Sequence, residues 1–197
     1  FLGVVLDIEE VLLHFSFKRT AEGVRDVILD HGKRIDGCKH TLIDALADKE
    51  PDKLAMLHIS RDKTERRFTF KDMKKASAQA ANYFKSLGIK KGDRVMLILK
   101  RHYQYWFAML GLNKLGAIGI PAPNQLQEHD LEYRFQAAGV KAILCTTDGD
   151  VANQVDMAAA KCPGLEIKIA VGESRDGWRN YDEESALFSS HFERTAD

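Results

Sequence analysis

Between Phe68 and Ala142 the spacing of apolar residues changes from helical to extended and back, and a glycine closes each helical run. Phe68-Thr69-Phe70-Lys71-Asp72-Met73 opens a helix that Leu87-Gly88 ends, Arg94 to Leu99 reads as a strand, and the pattern then repeats. Strand-helix units of this length require parallel pairing through right-handed crossovers. The expected fold class is therefore α/β, a layered and largely parallel sheet with helices on both faces.

Local chemistry supports each step. Thr69 is placed to cap the first of these helices, and Asp72, three residues on, completes a capping box. Met73, Ala76, Ala80, Tyr83, Phe84 and Leu87 recur at spacings of three and four, which makes one buried stripe. Ala76, Ala80 and Ala81 keep that helix thin enough to lie against a close neighbour. Val95 to Leu99 is apolar without alternation, as in a strand covered on both sides. Tyr103, Trp106, Phe107, Leu110 and Leu115 keep helical spacing up to Gly116, with Tyr103, Trp106 and Phe107 expected on the core face and Tyr105 nearer the boundary. Ala117 to Ile120 is a short strand stopped by Pro121 and Pro123. A helix starting at Asp130 or just before it runs to Gly139, Val140 to Cys145 is a strand, Gly149 to Lys161 a helix, and Leu165 to Val171 a strand of mixed polarity nearer an edge.

Upstream, a helix is expected from Thr41, its N-cap, to Lys49, with Asp44 in the box position and Pro51 as the stop. Leu54 to Ile59 and Arg66 to Thr69 read as a hairpin around Arg61 to Glu65. Residues 1–40 are the least regular part of the chain, and residues 41–197 are expected to belong to one domain. After Gly172 only Trp178 and Tyr181 stand out as anchors, and the chain ends without a completed element, as expected of a sequence that continues. The missing initial Met points the same way upstream.

Twenty-nine basic and twenty-nine acidic residues cancel, which argues against nucleic acid as the main partner. The basic run Lys85, Lys90, Lys91 and Arg94 reads as a solvated face. Cys38, Cys145 and Cys162 are odd in number with no CxxC pair, so a cytoplasmic or other reducing intracellular compartment is expected. No apolar run reaches the roughly 18 to 20 residues of a membrane span. The start, Phe1 to Leu6, is too short and too closely followed by acids for a signal peptide.

The usual catalytic motifs are missing. There is no P-loop, no GxGxxG after a predicted strand, no GxSxG elbow and no His/Cys spacing that completes a metal set. Ser189-Ser190-His191 lacks an orienting acid in evident range. On an α/β sheet the remaining candidates lie where strands end: Lys100, Arg101, His102 and Asp148.

Taken together, Phe68 to Met73, Leu87-Gly88, Lys91-Gly92-Asp93-Arg94-Val95, Tyr105-Trp106, Leu115-Gly116-Ala117-Ile118 and Pro121 resemble the N-terminal subdomain of the AMP-forming acyl-CoA synthetases, in the adenylate-forming superfamily. The likeness covers roughly Leu42 to Tyr181. Gln125, the acidic helix start at Asp130, Cys162-Pro163 and Gly177-Trp178 bring it nearest the medium-chain group. The resemblance implies a parent enzyme that activates a carboxylic acid with ATP and Mg²⁺ to an acyl-adenylate and passes the acyl group to CoA, with Gln125 as a CoA contact. Lys100 departs from the Pro that relatives commonly carry before Arg101, which implies a more mobile turn. The family's phosphate loop would lie just past Asp197, so none of ATP, Mg²⁺ or CoA is expected to be held by this chain alone, which is expected to be inactive and prone to self-association through apolar surface meant for the missing half. The alternatives are a non-catalytic CoA-binding or protein-interaction domain on the same scaffold, and an unrelated small α/β enzyme using Lys100, Arg101, His102 and Asp148.

Overall fold

The computed structural model describes residues 42–193 and a two-residue strand, β1 (Val5–Leu6). The chain divides into two compact units, Phe1–Lys74 with Glu193–Asp197, and Lys75–Phe192. In the first, α1 (Leu42–Lys49) precedes β2 (Leu54–Ile59) and β3 (Glu65–Thr69), and β1, β2 and β3 form an antiparallel sheet in that order. The hairpin turn is fixed by Asp62, which accepts from the backbone N–H and the hydroxyl of Thr64. The expected cap Thr41 and residues 1–40 other than β1 lie outside the described residues.

The capping box at the next helix, α2 (Phe70–Ser86), forms as the spacing predicts. Thr69 N–H donates to Asp72 Oδ2 at 2.9 Å, and Asp72 N–H donates to Thr69 Oγ1 at 3.2 Å. These bonds occupy donors that the first helical turn leaves unpaired.

The second unit is a five-stranded parallel sheet. Its elements are β4 (Arg94–Ile98), α3 (Gln104–Leu115), β5 (Ile118–Pro121), α4 (Glu128–Ala138), β6 (Val140–Thr146), α5 (Val151–Ala159), β7 (Ile167–Val171), β8 (Arg179–Asn180) and α6 (Tyr181–Ser185). The strand order is β5-β4-β6-β7-β8. Unbroken apolar runs in β4 and β6 are used on both faces. Val95, Leu97, Ala142 and Leu144 join Ala80, Tyr83 and Phe84 of α2 and Ala108 and Leu112 of α3. The alternate residues Met96, Ile98, Ile143 and Cys145 join Leu131 and Phe135 of α4 and Val151 and Val155 of α5.

One helix face differs from its expectation. The buried residues of α3 are Gln104, Phe107, Ala108, Gly111, Leu112 and Lys114, while Tyr103 and Trp106 are only half-buried. The face is turned because α3 must approach α2 closely. A Cβ on Gly111 would stand 2.7 Å from Ala80 Cβ and 2.9 Å from the Ala81 nitrogen. The thin Ala stripe of α2 meets a glycine, and bulkier Tyr103 and Trp106 have no room on that line.

The segment after β7 also folds further than its isolated anchors suggest. Asp156 on α5 accepts from Lys168 Nζ, from Arg175 Nε and Nη2, and from Trp178 Nε1. Lys168 and Arg175 also lie 5.4 and 5.7 Å from the centre of the Trp178 ring, within cation–π range. This network explains the mixed polarity of β7 and pins the loop that leads into β8 and α6. Tyr181, 2% exposed, then enters the core beside Tyr83.

Two outcomes follow from this packing. Gly111→Val is expected to lower stability by about 1–3 kcal/mol, because the α2–α3 contact has no space for the added atoms; a melting temperature equal to or above that of the parent would contradict the close approach. Burial pushes the Asp156 carboxyl upward, but the bonds from Lys168, Arg175 and Trp178 outweigh it and hold it below its ordinary 3.8. A depressed folded-state value gives stability that is present above the unfolded value and lost as pH falls through the folded one. The stability advantage of the parent over Asp156→Asn, measured by urea midpoints, should therefore shrink between pH 7 and pH 3.

Candidate functional site

In an open parallel sheet, a crevice forms at the carboxyl ends of two strands whose following connections leave in opposite directions. Here those strands are β4 and β6, since β4 leads to β5 on one side and β6 leads to β7 on the other. The residues that follow them are Leu99-Lys100-Arg101-His102 and Thr147-Asp148-Gly149.

The structure brings three of the four candidates together. His102 Nε2 is 2.8 Å from Thr146 Oγ1 and 3.5 Å from Asp148 Oδ2. Thr146 Oγ1 also accepts from the Asp148 N–H at 3.0 Å. Lys100 Nζ lies over Gly149, 3.5 Å from where a Cβ would stand. Arg101 is exposed beside them. Thr146 was not legible as a site residue because it ends an apolar strand and reads as its last rung. It is fully buried, so its hydroxyl cannot meet a substrate. The cluster therefore ties the loop after β4 to the loop after β6 and does not form a nucleophile with its base.

Gln125 lies on the loop leaving β5 at this same carboxyl edge. Pairing with β4 persists just past the strand, where Ala122 N–H donates to Leu97 O, and Leu126, 8% exposed, anchors the loop in the core. Gln125 is exposed, and its backbone carbonyl accepts from Gln127 Nε2 at 3.4 Å. The following helix starts at Glu128, with the Gln127 N–H donating to Asp130 Oδ2, so Asp130 serves the helix terminus.

Other chemistry is limited by burial and by bonds already made. Burial pushes the Cys145 thiol up to about 12, which leaves it protonated at neutral pH, and Cys162 is also buried. A cavity of about 580 Å³ opens at the amino edge of the sheet, beside Arg94, Lys141 and Cys162. Its cations are engaged. Arg94 donates to the carbonyls of Gly92, Ala138 and Gly139, and Lys141 donates to Gly88 O and Asp93. Arg94 is thus a helix cap and not part of a solvated face, as its run of basic neighbours had suggested. Among the described residues no group of three or more His, Cys, Asp or Glu could hold a metal ion, and in Ser189-Ser190-His191 the backbone N–H of His191 donates to the Ser189 hydroxyl.

Comparison with known proteins gives this edge its context. Residues 43–195 match the family model described as AMP-binding enzyme. The chain is 36% identical over 151 residues to the rat acyl-coenzyme A synthetase ACSM5, mitochondrial, covering 73% of this chain and 26% of that protein. The human protein of the same name is 35% identical over 139 residues, covering 70% of this chain and 24% of its own length. The chain thus spans about a quarter of the curated relatives it matches. Among solved structures, a Brucella canis acyl-CoA synthetase superposes with a TM-score of 0.70 at 24% identity, over 87% of this chain and 32% of that one. The anthranilate CoA ligase AuaEII, in complex with anthranoyl-AMP, superposes with a TM-score of 0.69 at 20% identity, over 80% and 30%. At those identities the structures speak for the fold alone. The reading as an unrelated small α/β enzyme is set aside, and the chain belongs to the AMP-binding enzyme family.

Proposed function

We propose that this chain is the N-terminal part of an ATP-dependent ligase that converts a medium-chain carboxylic acid to its acyl-CoA through an acyl-adenylate. The observation that supports this reading is the family match over residues 43–195, together with relatives named as acyl-coenzyme A synthetases. A non-catalytic CoA-binding or interaction domain is the less favoured reading, since these relatives are named as synthetases.

Within the proposed enzyme the chain supplies framework and one face of the CoA site. Gln125, exposed at the carboxyl edge on a loop anchored by Leu126, offers an amide donor and acceptor to CoA. The described residues include no metal cluster, and the sequence has no glycine-rich run whose backbone N–H groups could surround phosphates. The described residues do not fit ATP and Mg²⁺, and in the proposed enzyme their binding falls to the rest of the protein. We place the protein in a reducing intracellular compartment, mitochondrial as the relatives' names state. Among the described residues no helix is long and apolar enough to cross a membrane.

Full-length protein supplied with ATP, Mg²⁺, CoA and a medium-chain acid should release pyrophosphate in an acid-dependent manner and form acyl-CoA. The 197-residue chain by itself should release none above a no-protein control, because transition-state charge on phosphorus needs donors preorganised around it. Absence of acid-dependent pyrophosphate from folded full-length protein would refute the ligase reading. Gln125→Ala should raise KM for CoA by about 3–10-fold, the loss of one neutral hydrogen bond. A rise in KM for ATP with CoA unaffected would remove Gln125 from the CoA site.

A further inference from the structure

The backbone N–H groups at the start of a helix have no partner inside it, and α4, which follows Gln125, finds partners for two of them in different places. The N–H of Gln127 donates to Asp130 Oδ2 at 3.3 Å, within the first turn of the helix itself. The N–H of Glu128 donates instead to Oε1 of Gln154 at 2.9 Å, and Gln154 lies 26 residues later, on α5.

This bridge needs a group that donates on one side and accepts on the other. Gln154 Nε2 donates to Asp150 Oδ2 at 2.6 Å, while Asp150 Oδ1 accepts from Asn153 Nδ2 at 2.7 Å. A carboxylate accepts and a backbone N–H donates, so the nitrogen of Gln154 must face Asp150 and its oxygen must face Glu128. Asp150 closes the loop after β6, and Glu128 opens the helix after β5. One side chain therefore joins two connections of the carboxyl edge. Gln125 stands three residues before the point of attachment, and its carbonyl accepts from Gln127 Nε2 in between. Lys161 Nζ also reaches this helix start, at 2.7 Å from Glu128 Oε1. Lys161 is 54% exposed, and pairs of that kind contribute little; it holds the Glu128 side chain and not the backbone.

We propose that Gln154 is a positioning residue for Gln125: by fixing the N–H of Glu128 it sets where α4 begins, and with it the path of residues 125–127 at the carboxyl edge. Gln154 acts through the backbone and touches no ligand. Leu126 sets the depth of the loop in the core, but burial of apolar surface is non-directional. A hydrogen bond to the backbone has a preferred line, so Gln154 adds the orientation that Leu126 does not. Holding a binding group in one geometry beforehand lowers the ordering cost of binding. The inference rests on the reading of Gln125 as a CoA contact; the bond between Gln154 and Glu128 does not.

Gln154→Met tests it in the full-length protein, because Met keeps the length of the side chain and has no amide to place between Asp150 and Glu128. The variant should speed hydrogen exchange of a peptide spanning residues 126–130 by about tenfold. It should raise KM for CoA about threefold with KM for ATP unchanged. In a Gln125→Ala background it should add nothing to KM for CoA, since it acts only through Gln125. Unchanged exchange at the start of α4 would overturn the proposal. So would a rise in KM for CoA of the same size with Gln125 already removed, or a matching rise in KM for ATP, because Gln154 would then support the fold in general. Lys161→Ala loosens the same helix start without touching the Glu128 N–H and should leave KM for CoA as it was; an equal rise there would also count against Gln154. If Gln125→Ala raises KM for CoA and Gln154→Met does not, the inference fails while the CoA reading stands. If Gln125→Ala leaves KM for CoA unaltered, the CoA reading itself fails and takes the inference with it.

Discussion

The parallel pairing of β4 with β6 is the constraint on which the second unit rests. Both strands are buried on two faces, so every residue from Val95 to Ile98 and from Ala142 to Cys145 must be apolar and must face one of two helix layers. That requirement fixes the register. A slip by one residue would send Val95 and Leu97 into the α4–α5 layer and Met96 and Ile98 into the α2–α3 layer, where the space is shaped for the other set. With β5 and β6 flanking β4 from opposite sides, the general rule for open parallel sheets places a ligand crevice at the carboxyl ends of β4 and β6.

The two ends of this strand pair are finished by different chemistry. At the amino end, cations complete backbone groups: Arg94 takes the carbonyls left over at the end of α4, and Lys141 takes Gly88 O next to the end of α2. Helix C-termini leave such acceptors unpaired and favour positive charge. Lys141 also pairs with Asp93 at 2.9 Å, which helps hold that carboxyl below its ordinary value against the upward push of burial. At the carboxyl end the groups are His102, Thr146 and Asp148, which join one loop to another. The amino end is saturated and structural, while the carboxyl end keeps exposed side chains such as Arg101 and Gln125 beside a fixed framework.

Most of the layered sheet was legible because its signals are local and agree with one another. The Thr69–Asp72 box, the unbroken apolar strands and the glycines at the ends of α3 and α4 each identify an element, and Gly116 and Gly139 do adopt the positive φ that such helix ends require. What escaped depended on partners distant in sequence. The buried face of α3 is set by Gly111 against Ala80 and Ala81, about thirty residues earlier, so helical spacing alone placed Tyr103 and Trp106 too deep. The short β8 and α6 have no apolar period of their own. They are ordered by Asp156 through Lys168, Arg175 and Trp178, and by Tyr181 entering a core already built.

The site was legible in a different way. Strand ends could be named from the sequence, and with them Lys100, Arg101, His102 and Asp148 as candidate catalytic groups. The role of the cluster could not be, because it turns on Thr146. A hydroxyl at the end of a buried strand reads as one more strand residue until the neighbouring loop is seen to fold back onto it. Once there, its oxygen accepts from Asp148 N–H and meets His102 Nε2, so its bonding capacity is spent within the protein. A group so engaged stiffens the edge and leaves reactivity to residues that are exposed. In the ligase proposed above, ligand contact at this edge would then fall to exposed side chains such as Gln125, on a loop anchored by one buried leucine.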